Sequence, residues 1–329
     1  MKKKHVLTTV MVLLISVIFA GCGGGNNGAQ TTETGETDWP KETVTFVVPY
    51  SAGGDTDTYA RQLAAGLSNE LDNNFIVVNT VGGGGVVAGS SVLGASPDGY
   101  TALFHHTGVM LAQEAADAIE FSYLDDFEMV ASVARDDTYA LIAKADSPWT
   151  TLEDMISWAQ ANPGQLRYSI TYYGATHAVA TMMENTMDIE MNNIDVGSAT
   201  ADRLTAFMAD QCDVLVVNFM NIEDYIENGD FVVLGIASEE RLPGLEEFPT
   251  IKEQGYNVVL SKIYEVRLPK GTDQRIVDTF TEAIEAVATT DEFRDILARY
   301  YAEPFYRDAE TADRENREEV EVLKEIFAE

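Results

Sequence analysis

Eight apolar runs of strand length recur along this chain, at Val44–Val48, Phe75–Val78, Thr101–Phe104, Phe127–Ala134, Tyr139–Ala143, Leu166–Ile170, Val214–Val217 and Val232–Ala237. Between several of them the apolar residues fall three and four apart instead, as at Tyr59, Ala60, Leu63, Ala64, Leu67 and Leu71. A strand period that alternates with a helix period predicts parallel sheets carrying helices on their faces. From Thr43 to Glu329 the chain is too long for one ordinary core, so the pattern predicts an α/β fold of two domains.

Helix ends can be read at several places. Thr150-Thr151 before Leu152-Glu153-Asp154 is a cap followed by early acids, and Asn162-Pro163-Gly164 is the matching stop. The last segment, 313–327, sets Val320, Leu323 and Phe327 on one stripe and allows Asp313 to pair with Arg317 one turn on. It predicts a surface helix docked on a domain.

Residues 1–21 combine a basic start, Met1-Lys2-Lys3-Lys4-His5, with an apolar segment from Val6 to Ala20 that is interrupted by Thr8, Thr9 and Ser16. A bilayer-crossing helix needs about 20 apolar residues, so a cleaved export signal is the better reading. Phe19-Ala20-Gly21-Cys22 resembles the end of a bacterial lipoprotein signal, which implies cleavage before Cys22, lipidation of its thiol and anchoring to the cell membrane on the extracytoplasmic side. The Gly-, Asn- and Thr-rich residues 22–41 that follow cannot bury a core and read as a flexible tether. With Cys22 lipidated, Cys212 is the one remaining thiol, and its place beside an apolar strand predicts a buried, inert side chain.

The formal net charge is -33, and removing residues 1–21 takes away lysines and no acids. Nucleic acid and anionic headgroups are therefore excluded as partners of the folded part. Surface acids lie beyond a Debye length of about 10 Å from a cleft at 0.1 M salt and do not dictate what binds there.

Tyr50-Ser51-Ala52-Gly53-Gly54-Asp55-Thr56-Asp57 joins a strand to a helix. Glycines there let a ligand approach the unpaired N–H groups of a helix start, which makes an anion seat; a turn capped by Thr56 or Asp57 with no ligand is the alternative. Neither this stretch nor Gly82-Gly83-Gly84-Gly85 continues into the Gly-Lys-Ser/Thr of a phosphate loop. A second strand–loop–helix unit runs from Leu166 through Tyr172-Tyr173-Gly174-Ala175-Thr176-His177, and two such units facing each other would frame a cleft for a small ligand. His105-His106 ends an apolar strand, where adjacent side chains point to opposite faces and make a poor metal pair. No metal or cofactor is expected.

The order of these motifs resembles the solute receptors of tripartite tricarboxylate transporters, the Bug-type receptors. The likeness rests on Thr45 to Asp57, Asn79, Gly82 to Gly85, Ser96-Pro97-Asp98-Gly99-Tyr100-Thr101, Ala161 to Leu166, Gly174 to His177, Gly197-Ser198-Ala199, Asp213 to Asn218, Phe248-Pro249-Thr250 and Leu268 to Thr272. It covers nearly the whole chain after the tether. The resemblance implies a periplasmic-binding-protein-like (type II) fold whose two domains, 42–137 with 263–329 and 138–262, close on a small organic ligand. Its implied jaws are Tyr50 to Asp57 and Tyr172 to His177, with Thr107, Asp195, Gly197, Ser198, Asn218 and Tyr264 also at the cleft. It implies a monomeric binding protein that is not an enzyme and that hands its ligand to a membrane permease.

Asp55, Asp195 and Glu265 depart from the family pattern and add acid. A ligand carboxylate about 4 Å from Asp55 would be repelled by about 1 kcal/mol in water and about 4 at an effective dielectric of 20. An inward Asp55 therefore favours a ligand with a carboxylate and a cationic or hydrogen-bond-donating end, such as an amino acid. An outward Asp55 would merely favour the helix start. Hinges are expected at 134–139 and 260–266. The rival readings are a receptor that presents its ligand to a sensor kinase and an extracellular hydrolase using Ser51 or Thr176 with His177.

Overall fold

Every second residue of a half-buried strand faces water, but Phe46, Val47 and Val48 are all buried, which marks their strand as central in a covered sheet. The computed structural model describes residues 37–197 and 199–328, so Cys22 and Ser198 lie outside the described residues. The order is β1 (Val44–Val48), α1 (Asp55–Glu70), β2 (Phe75–Asn79), α2 (Val86–Leu93), β3 (Thr101–His106), α3 (Thr107–Ala115) and β4 (Phe127–Asp136). Two residues later come β5 (Tyr139–Lys144), α4 (Leu152–Ala161), β6 (Leu166–Ile170), α5 (Ala175–Met187), β7 (Met191–Asp195), α6 (Thr200–Met208), β8 (Val214–Asn218), α7 (Glu223–Glu227) and β9 (Phe231–Ile236). The chain then returns through β10 (Lys262–Pro269) and ends with α8 (Gln274–Ala288), α9 (Asp291–Ala298), β11 (Glu303–Asp308) and α10 (Ala309–Ala328).

Two sheets result, one ordered β11-β4-β10-β3-β1-β2 and the other β7-β6-β8-β5-β9. Each is mixed, which corrects the expectation of parallel sheets. β1 is parallel to β2 and β3, whereas β10 is antiparallel to both β3 and β4; β6 is parallel to β7 and β8, whereas β5 is antiparallel to β8 and β9. The cause is connectivity. The chain leaves the first sheet along β4 and re-enters it along β10, so the returning strand runs against both neighbours.

Each sheet has its own core. Phe46, Tyr59, Leu63, Phe104 and Phe280 fill the first; Leu141, Trp149, Ile170 and Met183 fill the second. Val320 and Leu323 of α10 join that second core together with Leu111 of α3, so the terminal helix packs against elements of both sheets. Thr151 caps α4 by accepting from the Asp154 N–H, and Asp313 pairs with Arg317 at 2.8 Å, both as the spacing predicts. Cys212 is buried, and burial first and Asp213 second push its thiol up to about 11. Such a thiol stays protonated and unreactive. No helix among the described residues is long and apolar enough to cross a membrane.

Candidate functional site

The two sheets meet where the chain crosses between them, and the starts of α1, α3, α5 and α6 converge beside that crossing. A cavity of about 200 Å³ lies there, lined by Tyr50–Asp55 and His106 from the first lobe and by Thr171, Ala175, Thr176, Thr200, Arg203 and Asn218 from the second. Among the described residues, none of these four helices has a side-chain cap on its first turn. By contrast α4, α8 and α9, whose starts do not line the cavity, are capped by Thr151, Asp273 and Thr290. Uncapped N–H groups and four dipole ends turned to one cavity make a positive, donor-rich lining. A larger depression of about 470 Å³ is walled by Arg135, Asp137, Arg241, Arg294 and Glu303, a surface of pairs of opposite charge with no helix start.

The β1–α1 turn is shaped by Asp57. Its carboxylate accepts from the Gly53 N–H at 2.9 Å, from Asn79 Nδ2 at 2.9 Å and from Arg61 at 2.8 Å, which folds the turn back on the helix. Gly53 has φ +86°, a left-handed conformation that glycine adopts without the Cβ penalty. Asp57 thus serves the turn, and it leaves the cavity to Ser51, Gly54 and Asp55.

Asp55 lines the cavity but does not stand alone. Lys262 Nζ donates to its Oδ2, and Tyr264 Oη donates to the same oxygen at 2.5 Å. Lys262 also donates to Asn218 Oδ1 at 2.6 Å, stands 4.0 Å from Asp136 and lies 4.6 Å over the ring of Tyr139. Asp136 accepts from Asn218 Nδ2 at 2.6 Å, from Tyr59 Oη at 3.0 Å and from the Thr138 hydroxyl at 2.6 Å. Burial alone would raise the Asp55 carboxyl, but the Lys262 ammonium and the hydrogen bonds from Lys262 and Tyr264 outweigh it and hold the group well below its usual range. Lys262 keeps its charge likewise, raised by Asp55 against the effect of burial.

This network corrects the picture of an acid-enriched cleft. Glu265 is buried away from the cavity, 2.8 Å from Arg267, and accepts from Asn316 at 2.8 Å. Asp195 is exposed at the end of β7, where it accepts from the Gly197 N–H. Only Asp55 of the three reaches the cavity, and it arrives already paired. The repulsion expected of a bare carboxylate is reduced accordingly.

Of the other residues singled out in the sequence, Tyr50, Ser51, Ala52, Gly53, Gly54, Ala175, Thr176 and Asn218 line the cavity. Thr56, Asp57, Thr107 and Tyr264 lie behind it as buried supports; the Thr107 hydroxyl accepts from the Ile263 N–H at 3.0 Å. Gly174 is the residue before α5, and the Gly197 carbonyl accepts from the Thr171 hydroxyl at 3.1 Å. Tyr172 and Tyr173 are exposed outside the lining. His177 Nδ1 accepts from the Tyr173 N–H and its ring stacks on Phe327, while Thr176 Oγ1 accepts from the Thr171 N–H. Among the described residues these side chains form no nucleophile–base pair.

Sequence reasoning missed Arg203 and His106 as lining residues. Arg203 is 4% exposed, lines the cavity and donates to the Thr200 hydroxyl at 3.3 Å. It sits at the start of α6, where the dipole disfavours a cation; that broken rule was the available signal. Burial and then Lys262 push His106 well below its ordinary value, so it is neutral, and its Nδ1 has no hydrogen-bond partner among the described residues. Its ring stacks on Tyr50 at 5.3 Å, and the Tyr50 hydroxyl is likewise buried without a partner among the described residues. No group of acids, histidines and cysteines among the described residues could hold a metal.

Two α/β lobes joined by crossing strands, with helix starts from both turned to one small cavity, define a solute-binding protein of the periplasmic type. Residues 59–329 match the model of the tripartite tricarboxylate transporter family receptor, and the chain belongs to that family. It is 27% identical to a protein encoded near gbd in Cupriavidus necator, over 83% of this chain and 82% of the relative, and 27% identical to BugT of Bordetella pertussis, over 78% and 80%. Among solved structures, Rpa4515 of R. palustris with adipate superposes with a TM-score of 0.81 at 27% identity, covering 88% of this chain and 97% of that one. The periplasmic binding protein BugD superposes with a TM-score of 0.80 at 25% identity, covering 88% and 98%.

Proposed function

We propose that this protein is an extracytoplasmic receptor, anchored through lipidated Cys22, that captures a small carboxylate-bearing molecule and delivers it to a tripartite membrane transporter. The observation that carries the reading is the cavity: uncapped helix starts from both lobes and the Arg203 guanidinium face one volume of about 200 Å³, room for a small organic acid. The family description supports delivery to a transporter, and the adipate held by a relative supports a carboxylate.

The domains 42–137 with 263–329 and 138–262 would move about the crossings at Asp137-Thr138 and before Lys262, closing the jaws on the ligand. Binding to the folded state alone raises thermal stability. Thermal unfolding of the full chain with mono-, di- and tricarboxylates and amino acids should therefore show a rise in Tm that grows with concentration for at least one of them. If none of these compounds shifts Tm, the receptor reading fails.

A further inference from the structure

Resting on that receptor reading, the geometry points to a ligand with two unlike ends: a single carboxylate held by Arg203 with the starts of α5 and α6, and an amino or hydroxyl donor held by Asp55. The two charged residues of the lining stand on different lobes, Asp55 on the first and Arg203 on the second. The first turn of α1 carries Asp55 and Asp57, which offset its own dipole, and that of α6 carries Asp202 beside Arg203, whereas the first turns of α3 and α5 carry no acid. The anion end of the cavity is thus set by Arg203 together with the acid-free start of α5, both on the second lobe.

The first-lobe end is acidic even after pairing. Asp55 and Asp136 are two carboxylates against the one ammonium of Lys262. Lys262 is 1% exposed, absent from the lining, and its donors are directed to Asp55 and Asn218. It has little to offer a second ligand carboxylate. Both bonds to Asp55 fall on Oδ2, which leaves Oδ1 to accept from a ligand donor. Neutral His106 and the Tyr50 hydroxyl, both without hydrogen-bond partners among the described residues, border the same end and suit a polar group that carries no negative charge.

Calorimetric titration of the full chain with succinate, butyrate, 4-hydroxybutyrate, 2-aminobutyrate and 4-aminobutyrate tests this. An amino or hydroxy acid should bind at least roughly tenfold more tightly than succinate and butyrate, a difference of about 1.4 kcal/mol. Succinate as the tightest ligand, or butyrate equal to the best, overturns the two-ended ligand and leaves the receptor reading standing. Absence of binding by all five overturns the two-ended ligand, whereas the receptor reading falls only if the wider set of mono-, di- and tricarboxylates and amino acids also leaves Tm unchanged. Asp55→Asn should reduce the ratio of amino-acid to succinate affinity by roughly tenfold; an unchanged ratio sinks the role of Asp55. Where that variant fails to fold, Asp55→Asn combined with Lys262→Gln removes both charges, and the same ratio is read.

Discussion

An arginine in the first turn of a helix works against the dipole, and one that is 4% exposed also loses most of its hydration. Arg203 donates to the Thr200 hydroxyl, and a carboxylate in the cavity would add a charge-assisted hydrogen bond to the same guanidinium. A hydrogen bond to a charged group contributes about 1.5–3 kcal/mol, so Arg203→Gln should weaken binding of a small carboxylate roughly 10- to 100-fold by calorimetry. Arg203→Lys keeps the charge but loses the planar fork and should fall between the two. The same residue shows how far the sequence could be read. Tyr50–Asp55 and Thr176 were legible because glycines and hydroxyls between a strand and a helix have few other uses. Arg203 reads as a solvated residue on an amphipathic helix until the fold buries it. Asp55 was legible as an acid at a helix start, but its partner Lys262 lies far along the chain, and no local rule joins them.

At the scale of elements, β3 and the glycine turn before α2 depend on each other. Gly85 has φ +104°, and a Cβ there would stand 2.5 Å from His105 Nε2. Gly85→Ala should cost about 1–3 kcal/mol, seen as a lower denaturation midpoint with an unchanged m-value. Burial, reinforced by Arg267, lowers His105 to about 3, while an unfolded histidine titrates near about 6.5. Below that pH the unfolded state binds a proton that the native state refuses, so stability falls as pH drops, by up to about 1.4 kcal/mol per unit for this residue. Burial and Lys262 give His106 the same sign. Tm measured from pH 8 to 5 should decline with acidification and decline less in His105→Asn, whose side-chain carbonyl can still accept the His106 N–H that His105 Nδ1 accepts at 2.7 Å. Long apolar strands were legible as elements, whereas β7, β10 and β11 were not. Met191–Asp195 and Glu303–Asp308 are polar edge strands, and Lys262–Pro269 carries buried Lys262, Glu265 and Arg267. Charges buried only because they pair with one another or across the fold hide a central strand from any reading of hydropathy.

For the whole molecule, the two-lobed arrangement was legible from the alternation of strand and helix periods, and the mixed sheets were not, because β10 returns from a distant point in the sequence. The surface charge belongs to this scale as well. A formal charge of -33 on 329 residues makes the compact state repel itself, and the exposed ion pairs contribute little against that. Salt shortens the Debye length from about 30 Å at 0.01 M to about 3 Å at 1 M, which screens repulsion between surface acids. The charges at the cavity are different: Lys262 and Asp136 are 1% exposed, Arg203 is 4% exposed, and pairs so buried are screened far less. Sodium chloride should therefore separate the two effects. Tm should rise between 0.01 and 1 M salt, while the affinity for a bound carboxylate should change less than about threefold over the same range. A ligand affinity that falls in proportion to ionic strength would place the recognition charge on the surface and not at Arg203.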